Sequence, residues 1–590
     1  METKRLILAI ALSMVVIIGY QMLFPPQVAN KNITNVNTQQ NINGNQLQTN
    51  NNKQVPVNPI TEKKAETVSE NTATETVKTA ETKVAKIVKP IKIETENFTV
   101  VFTNKGAALK SFVLKKYMDD NKPEKNNLDL VSKQAGTENE VLPFHFSTFD
   151  DRDVNYNIYK DANSTLYQVE KIENDNNTKL IFKYIKGATQ VSKTFVIYKH
   201  SYVIGIDTEI ITNGKKISAP YVFGPALGNN LRPESMMYEL KGFNGTEVED
   251  AKFQSMKPGY MAFGKTNGYR FLWGAFDTTY FSVIFEFNQI DRDARIMSYV
   301  NELIDKEGKK TRKNYLIATN PTKVFMGPKE ERILANTAKE FNFTEINKVI
   351  NYGFSWFTPI AKIMLKGINF IYEKVLNFGN YGWAIVIFTI FLKLLLFPLT
   401  YKSSVSMAKM QTIQPKMKAL KKKYKNQKDP AQRKAMNEEL MALYKTEKVN
   451  PAGGCLPMLL QMPILFAFFM LLRNAINVRH EEWILWIKDL SLLDPYYVLP
   501  ILMGLTQIIL AKMSPSGGDA NQKKMMTYMM PIVITFVVMN LASGLTLYWF
   551  VSNLLQLGQQ HYINKKIYQQ KKDTDREIKA AKKKKGVKKI

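Results

Sequence analysis

The 590-residue chain has a single cysteine, Cys455, so it forms no disulfide within itself and cannot supply a Cys-rich zinc site. Histidine is nearly as scarce, with four copies and no His-x₃-His pair, which leaves no histidine metal site. A secreted, disulfide-stapled scaffold is excluded. The sequence also lacks H-E-x-x-H, a Gly-rich phosphate loop and G-x-S-x-G. Metalloprotease, nucleotide-hydrolysing and serine-hydrolase chemistries are therefore without their usual signatures. One S-x-x-K match, Ser406-Met407-Ala408-Lys409, lacks companion K-T-G or S-D-N elements. So short a pattern is common by chance. The chain is expected to be no enzyme and to need no cofactor or metal.

Acidic residues are in deficit as well, 52 against 81 Lys and Arg, for a net charge of +29. The excess is local. Residues 401–452 hold 13 Lys/Arg against 4 Asp/Glu, and 563–590 hold 12 against 3, so 80 residues carry 18 of the 29 charges.

The mean hydropathy of −0.24 matches an ordinary soluble protein, but the apolar residues are clustered. Leu6–Phe24 runs 19 residues without a charge, after Lys4 and Arg5 and before Pro25-Pro26. At helical rise it spans roughly 28 Å, close to the hydrocarbon thickness of a bilayer. It reads as an anchor over 1–24 with a cytoplasmic N-terminus. The alternative, a cleaved signal peptide, calls for a shorter apolar core and an A-x-A site. Further apolar runs lie at Trp383–Leu399, Leu456–Leu472, Tyr496–Ala511, Met525–Leu541 and Leu545–His561. Several are near the short end of the spanning range. Six spans in all place both basic stretches on the cytoplasmic side, and the acidic 474–495 segment opposite them.

Between the anchor and this bundle the composition changes twice. Residues 25–90 are rich in Asn, Gln, Thr, Lys and Glu and almost without aromatics, the pattern of a disordered linker. Residues 91–341 show period-2 alternation, as in Tyr202, Ile204, Ile206, Thr208 and Ile210, with turn signals at Thr103–Gly106 and Asn213-Gly214. This predicts an extracytoplasmic antiparallel β-sandwich domain. Residues 342–380 carry Ile346, Val349, Ile350, Phe354, Phe357, Ile360 and Ile363 mostly at spacings of 3 and 4. That spacing predicts an amphipathic helix on the outer membrane surface, or else the last helix of the β domain. The fold class is thus a multidomain α+β membrane protein with a five-helix core over 381–562 and a basic tail over 563–590.

Lys393 is the most informative single residue, because it interrupts the run Phe391–Phe397. A charge near a helix centre costs roughly 2.5–3.5 kcal/mol on insertion scales, so it should face water or a partner. Snorkelling to the cytoplasmic end, about 7–8 Å away, is the competing account. Thr389 lies one turn before it. The last run carries Tyr548, Ser552 and Gln556 at intervals of four, with Asn553 beside them, and Gln461 and Gln507 add amides to two other runs. Such a set either lines a polar cavity or ties helices together by hydrogen bonds. In 401–452, Met407, Met410, Ile413, Met417, Leu420 and Tyr424 recur at helical spacing, and a second helix is predicted near Ala431–Lys445. The two form an antiparallel hairpin turning at 425–430. Its methionines suit either changing apolar partners or the packing of the hairpin itself. Lys571–Lys589 has the electrostatics to meet phosphate-rich partners, whether RNA or anionic lipid.

Several of these segments together resemble one family. Ser406-Met407-Ala408-Lys409-Met410, Gln414-Pro415-Lys416, Val449–Pro457, Gln461-Met462-Pro463, Trp486–Ser491, Asp494-Pro495-Tyr496-Tyr497 and Ser543-Gly544-Leu545 with Tyr548 and Ser552-Asn553 are similar to motifs of the YidC/Oxa/Alb membrane protein insertases. The anchor followed by a large β domain resembles the Gram-negative bacterial YidC type. The resemblance implies an inner-membrane insertase and chaperone with a hydrophilic groove open to cytoplasm and lipid. It implies nascent membrane proteins as substrates, and as partners the ribosome through the basic tail, the Sec translocon and the phospholipid bilayer, with the monomer as the active form. It places Lys393, Thr389 and Trp549 in the groove, which Gln461, Gln507, Tyr548, Ser552, Asn553 and Gln556 are then expected to line with them, and it gives substrate reception to the hairpin, whose methionines Met407, Met410 and Met417 are the expected contacts. The family usually has Arg where Lys393 stands and often Tyr where Trp549 stands. Lysine keeps the charge without the planar fork of donors. Two rival classes are a secondary transporter, against which no internal repeat is evident, and a tethered binding protein whose function would reside in 91–341.

Overall fold

The computed structural model describes residues 89–587 apart from 121–125, 134, 136–140, 229–238, 254–259, 264–270, 288–294, 305–309, 353–357, 377–378, 425–429, 448, 450–455 and 515–522. The expected anchor, residues 25–88 of the expected linker, the hairpin turn at 425–429 and part of the Val449–Pro457 motif lie outside the described residues.

Period-2 patterning gives two antiparallel sheets. The first is β1 (Ile91–Glu94), β2 (Phe98–Thr103), β3 (Ala108–Met118) and β4 (Asn127–Asp129), paired in that order. In β2 the side chains of Phe98, Val100 and Phe102 are buried and the intervening ones half-buried, as a pleated strand requires. A helix, α1 (Tyr156–Ser164), leads to the second sheet of fourteen strands. That sheet opens with the meander β5 (Gln168–Glu173), β6 (Asn177–Lys186), β7 (Thr189–Tyr198) and β8 (Val203–Thr212). Its path continues through Pro321–Pro328, Phe281–Phe287, Trp273–Asp277, Glu239–Phe243, Val248–Phe253, Tyr260–Phe263, Arg295–Ile304 and Lys310–Thr319 to Pro220–Phe223, while Lys215–Ile217 pairs with β8 off that path. Asn213 and Gly214 both take positive φ, 48° and 73°, and so make the primed turn that joins β8 to Lys215–Ile217.

The two sheets meet through aromatics. Phe102 lies 5.0 Å from Phe195 between ring centroids, and Tyr117 meets Phe281 edge-on at 5.6 Å. Charges inside this region are closed off by partners. Lys241 and Lys329 both donate to Asp277 Oδ2, at 2.6 and 2.9 Å. Lys193, fully buried, donates to the carbonyls of Gly106 and Phe144 at 3.0 and 2.9 Å, with the Phe146 ring centroid 3.9 Å from its ammonium.

The predicted helix over 342–380 is shorter than its apolar spacing suggests. α2 (Glu331–Phe341) ends at Asn342 in the left-handed conformation, φ 54°. The next apolar residues, Phe343, Ile346, Val349, Ile350 and Tyr352, are buried with the β-sheet core, four of them around a 3₁₀ turn at Ile346–Val349. Among the described residues regular helix resumes as α3 (Thr358–Phe370), running into a π turn at Ile371–Val375.

Then come α4 (Tyr381–Thr412), α5 (Gln414–Lys423), α6 (Pro430–Thr446), α7 (Leu456–Asn474), α8 (Val498–Met513), α9 (Met530–Val538, preceded by a π turn at Met525–Met529) and α10 (Ser543–Val587). Among the described residues only α4 is both long and apolar enough to cross a membrane by itself; α8 and the stretch Met525–Val538 are shorter apolar helices. Two boundaries differ from expectation. α4 does not stop at Pro398 but continues to Thr412, which shortens the first hairpin helix to Gln414–Lys423. Beside the proline the Thr400 hydroxyl donates to the Leu396 carbonyl of its own helix at 3.1 Å. α10 passes the expected end at His561 and extends through the basic segment for 45 residues, about 67 Å at helical rise. The β domain touches the loop after α7 through one buried charge cluster. Asp120 accepts from Arg479 at 2.8 Å and pairs with His480 Nε2 at 2.9 Å.

Candidate functional site

The polar residues of the helical region converge on α10. Its start is fixed by Ser543, whose hydroxyl donates to the Asp489 carbonyl at 3.1 Å. From there its polar face makes contacts with three other helices. Tyr548, buried and stacked on Phe468 at 4.1 Å, accepts from Gln461 Nε2 of α7 at 3.0 Å. Asn553 Nδ2 donates to the Met503 carbonyl and Thr506 Oγ1 of α8, at 3.3 and 3.4 Å. Gln556 Oε1 accepts from Lys393 Nζ of α4 at 2.9 Å, and Gln559 Nε2 donates to the Lys393 carbonyl at 3.3 Å.

Lys393 is 8% exposed, and no carboxylate lies within ion-pair distance of it among the described residues. Its neighbours on α4 point the other way: Phe391, Leu394 and Leu395 are each more than 60% exposed. The helix therefore has an apolar outer face and one cation on its inner face. That division explains why Lys393 is buried although its flanks are apolar.

The other predicted groove residues fall into two groups. Gln461, Tyr548 and Asn553 are brought together with α10 but act as helix-to-helix ties. Thr389 is fully buried and donates to the Ile385 carbonyl of its own helix at 2.6 Å, which turns its hydroxyl away from Lys393. Ser552 is buried, Trp549 half-buried, and the buried Gln507 Oε1 has no hydrogen-bond partner among the described residues. The sequence reading missed Ser404, Gln559, Gln560 and Asn564. Ser404 Oγ donates to Gln560 Oε1 at 3.4 Å, Gln560 Nε2 to Asn564 Oδ1 at 2.8 Å, and Asn564 Nδ2 to the Met513 carbonyl at 2.9 Å. The signal was present: Tyr548, Ser552, Gln556, Gln560 and Asn564 continue one interval of four. Its last step, to Asn564, is reached only because the helix runs past His561.

In the hairpin, Met410 and Ile413 pack with Val449, and Met417 and Tyr444 pack against them. Two of the three candidate receiving methionines thus serve the hairpin's own core, and Met407 is half-buried. Lys423 and Tyr424 both donate to Glu439, at 2.6 and 2.8 Å, across the two helices. An open groove of about 580 Å³ remains between α5 and α6, lined by Lys416, Leu420, Lys423, Glu439 and Leu443 among others. Among the described residues no three His, Cys, Asp or Glu side chains are grouped to hold a metal.

Two family models match. The model described as "60Kd inner membrane protein" covers residues 372–571, and that described as "YidC periplasmic domain" covers residues 90–366. A relative from Geotalea uraniireducens named "Membrane protein insertase YidC" is 33% identical, over 96% of this chain and 99% of its own length. One from Citrifermentans bemidjiense with the same name is 35% identical over 82% and 86%. A crystal structure titled "Active YidC insertase crystal structure with the first transmembrane domain resolved" is 19% identical, covering 81% of this chain and 94% of its own, with a TM-score of 0.33, too low to carry an argument. An inner-membrane protein with a β-sheet periplasmic domain and a helical C-terminal region is the class that these matches and the fold define. The chain belongs to the YidC family of membrane protein insertases.

Proposed function

We propose that this chain inserts newly made proteins into the inner membrane and assists their folding, through a polar groove between α4, α7, α8 and α10 that is open to cytoplasm and lipid. The observation that carries this reading is Lys393. It is a buried cation on the most membrane-like helix, held by a neutral amide with no carboxylate in reach among the described residues. A structural lysine at such a place would be costly without a counter-charge. An incoming acidic tail supplies one. The tail enters from the cytoplasm and its carboxylates are drawn to Lys393, which shortens the path over which it must be dehydrated. The attached apolar segment slides along the exposed Phe391, Leu394 and Leu395 face, and its transfer into hydrocarbon drives the process. No bond is made or broken, so the reading needs no enzyme chemistry.

In this reading residues 1–24 anchor the chain and 25–90 tether it. Residues 91–341 are the periplasmic domain, 342–380 lie at the outer surface, and five helices in 381–562 span the membrane. The 401–452 hairpin receives the substrate, with Met407 at its surface; Met410 and Met417 reach it only when the hairpin helices part. The 563–590 tail faces the ribosome. The monomer is the working unit, alone or beside the Sec translocon.

The test is reconstitution of purified protein into liposomes with ribosome-synthesised short membrane proteins, scored by protease protection of the translocated tail. Wild type is expected to protect it, and Lys393→Glu to lose protection at least about tenfold, as a 1.4 kcal/mol change in the barrier implies. Equal protection by Lys393→Glu would remove the electrostatic step. No protection above empty liposomes, beside an active control, would remove the insertase reading.

A further inference from the structure

Five lysine and arginine side chains are buried among the described residues: Lys193, Lys241, Lys329, Lys393 and Arg479. Lys241 and Lys329 meet Asp277, and Arg479 meets Asp120. Lys193 is walled in by two carbonyls and aromatic faces and has no exposed surface. Lys393 differs from all four. Unlike Lys193 it keeps some exposure, and unlike the other three it gives its ammonium to a neutral partner, the side-chain amide oxygen of Gln556.

An amide oxygen accepts a hydrogen bond without cancelling the charge. The carboxylate of equal length would have made an ion pair and left nothing to attract a substrate. The flexible four-carbon stem of lysine also allows the ammonium to swing toward the cytoplasmic end of the helix. Gln556 opposes that swing directly, and Gln559, three residues on along α10, ties α10 to the backbone of α4 at the same level. Gln556 takes the ammonium at 2.9 Å, and Gln559 takes the backbone carbonyl at 3.3 Å.

We propose that Gln556 is the positioning residue for Lys393, and that its neutral amide, by fixing the ammonium in depth without neutralising it, makes the groove select acidic over neutral tails. This rests on the insertase reading above and goes beyond it by assigning the selectivity to a second helix.

The test uses the full chain in liposomes and two substrates identical except for tail charge, one acidic and one with the matching amides. The quantity read is the ratio of their insertion rates within one variant, so a general loss of stability cancels. Wild type is expected to favour the acidic tail several-fold. Gln556→Glu, nearly isosteric, forms the internal ion pair and brings the ratio to about 1. Gln556→Met keeps the volume, releases the ammonium and lowers the ratio part of the way; it carries the same test if Gln556→Glu does not accumulate. A wild-type ratio retained in both variants overturns the assignment, as does an equal loss for both tails. Failure of wild type to insert either tail overturns the insertase reading itself, and this inference with it.

Discussion

The β domain and the helical core bury charge in opposite ways. Among the described residues of the β domain each buried cation is closed by what it is buried with: Asp277 sits between Lys241 and Lys329, and two carbonyls hold Lys193. In the core, Lys393 is held by an amide and keeps its charge uncompensated by any described carboxylate. A closed network specifies a fold, since its charges are met by its neighbours. A cation that has only a neutral partner and still keeps some exposure, as Lys393 does and the fully enclosed Lys193 does not, is a standing demand for an anion. The contrast separates residues that build this protein from the one whose charge, in the function proposed above, meets the substrate.

The largest expected effect tests the closed side of that comparison. Asp277→Ala leaves two buried ammonium groups without their carboxylate, and breaking a buried ion network by removing one partner costs roughly 3–5 kcal/mol. Amide exchange in the strands Trp273–Asp277 and Pro321–Pro328 of the full-length protein should accelerate by two orders of magnitude or more, while exchange in α4 and α10 stays as in wild type. Equal acceleration in the helices would mean that the two regions are one cooperative unit and that the contrast is not a division of labour.

A smaller effect, and one of pH, comes from His145. Burial holds its imidazole neutral and lowers its pKa from 6.5 to about 3. The folded state therefore binds fewer protons than the unfolded chain between those values, so the stability tied to this residue is complete above pH 6.5 and declines as the pH falls toward 3. Between pH 7 and 5 the loss is about 2 kcal/mol, taking 1.36 kcal/mol per pKa unit. His145→Gln lacks this titration. The fall in β-domain exchange protection from pH 7 to 5 should be smaller in the variant by about that amount. Equal falls would show that the imidazole reaches water in the folded protein.

How much of this was legible in the sequence follows the same line. Alternation reports burial on one face of a strand, so Phe98, Val100 and Phe102, or Ile204, Ile206 and Ile210, could be assigned inward from spacing alone. Lys393 was legible because a charge in an apolar run is conspicuous. Its partner was not, because Gln556 is 163 positions away and only the packing of α4 on α10 brings them together. Helix boundaries were read less well where the apolar pattern served another element. Ile346 and Val349 keep helical spacing but belong to the β-sheet core, and Pro398 does not interrupt α4. The hydroxyl of Thr389 could not be oriented from sequence at all, since the same residue can face a cavity or its own helix.

The smallest expected effect separates two kinds of polar residue within the core. Tyr548 and Gln461 were candidates for the groove, yet their hydrogen bond at 3.0 Å joins α10 to α7 with the tyrosine ring already buried against Phe468. Tyr548→Phe keeps that stacking and removes only the hydroxyl. Interhelical hydrogen bonds in membranes average about 0.6 kcal/mol, because the separated helices find other partners. The variant should thus unfold in detergent only slightly more readily than wild type, and it should insert acidic and neutral tails in the wild-type ratio. A change in that ratio would move Tyr548 from the residues that hold the helices together to those that meet the substrate. The uncompensated charge of Lys393 would then no longer suffice to define the working part of the groove.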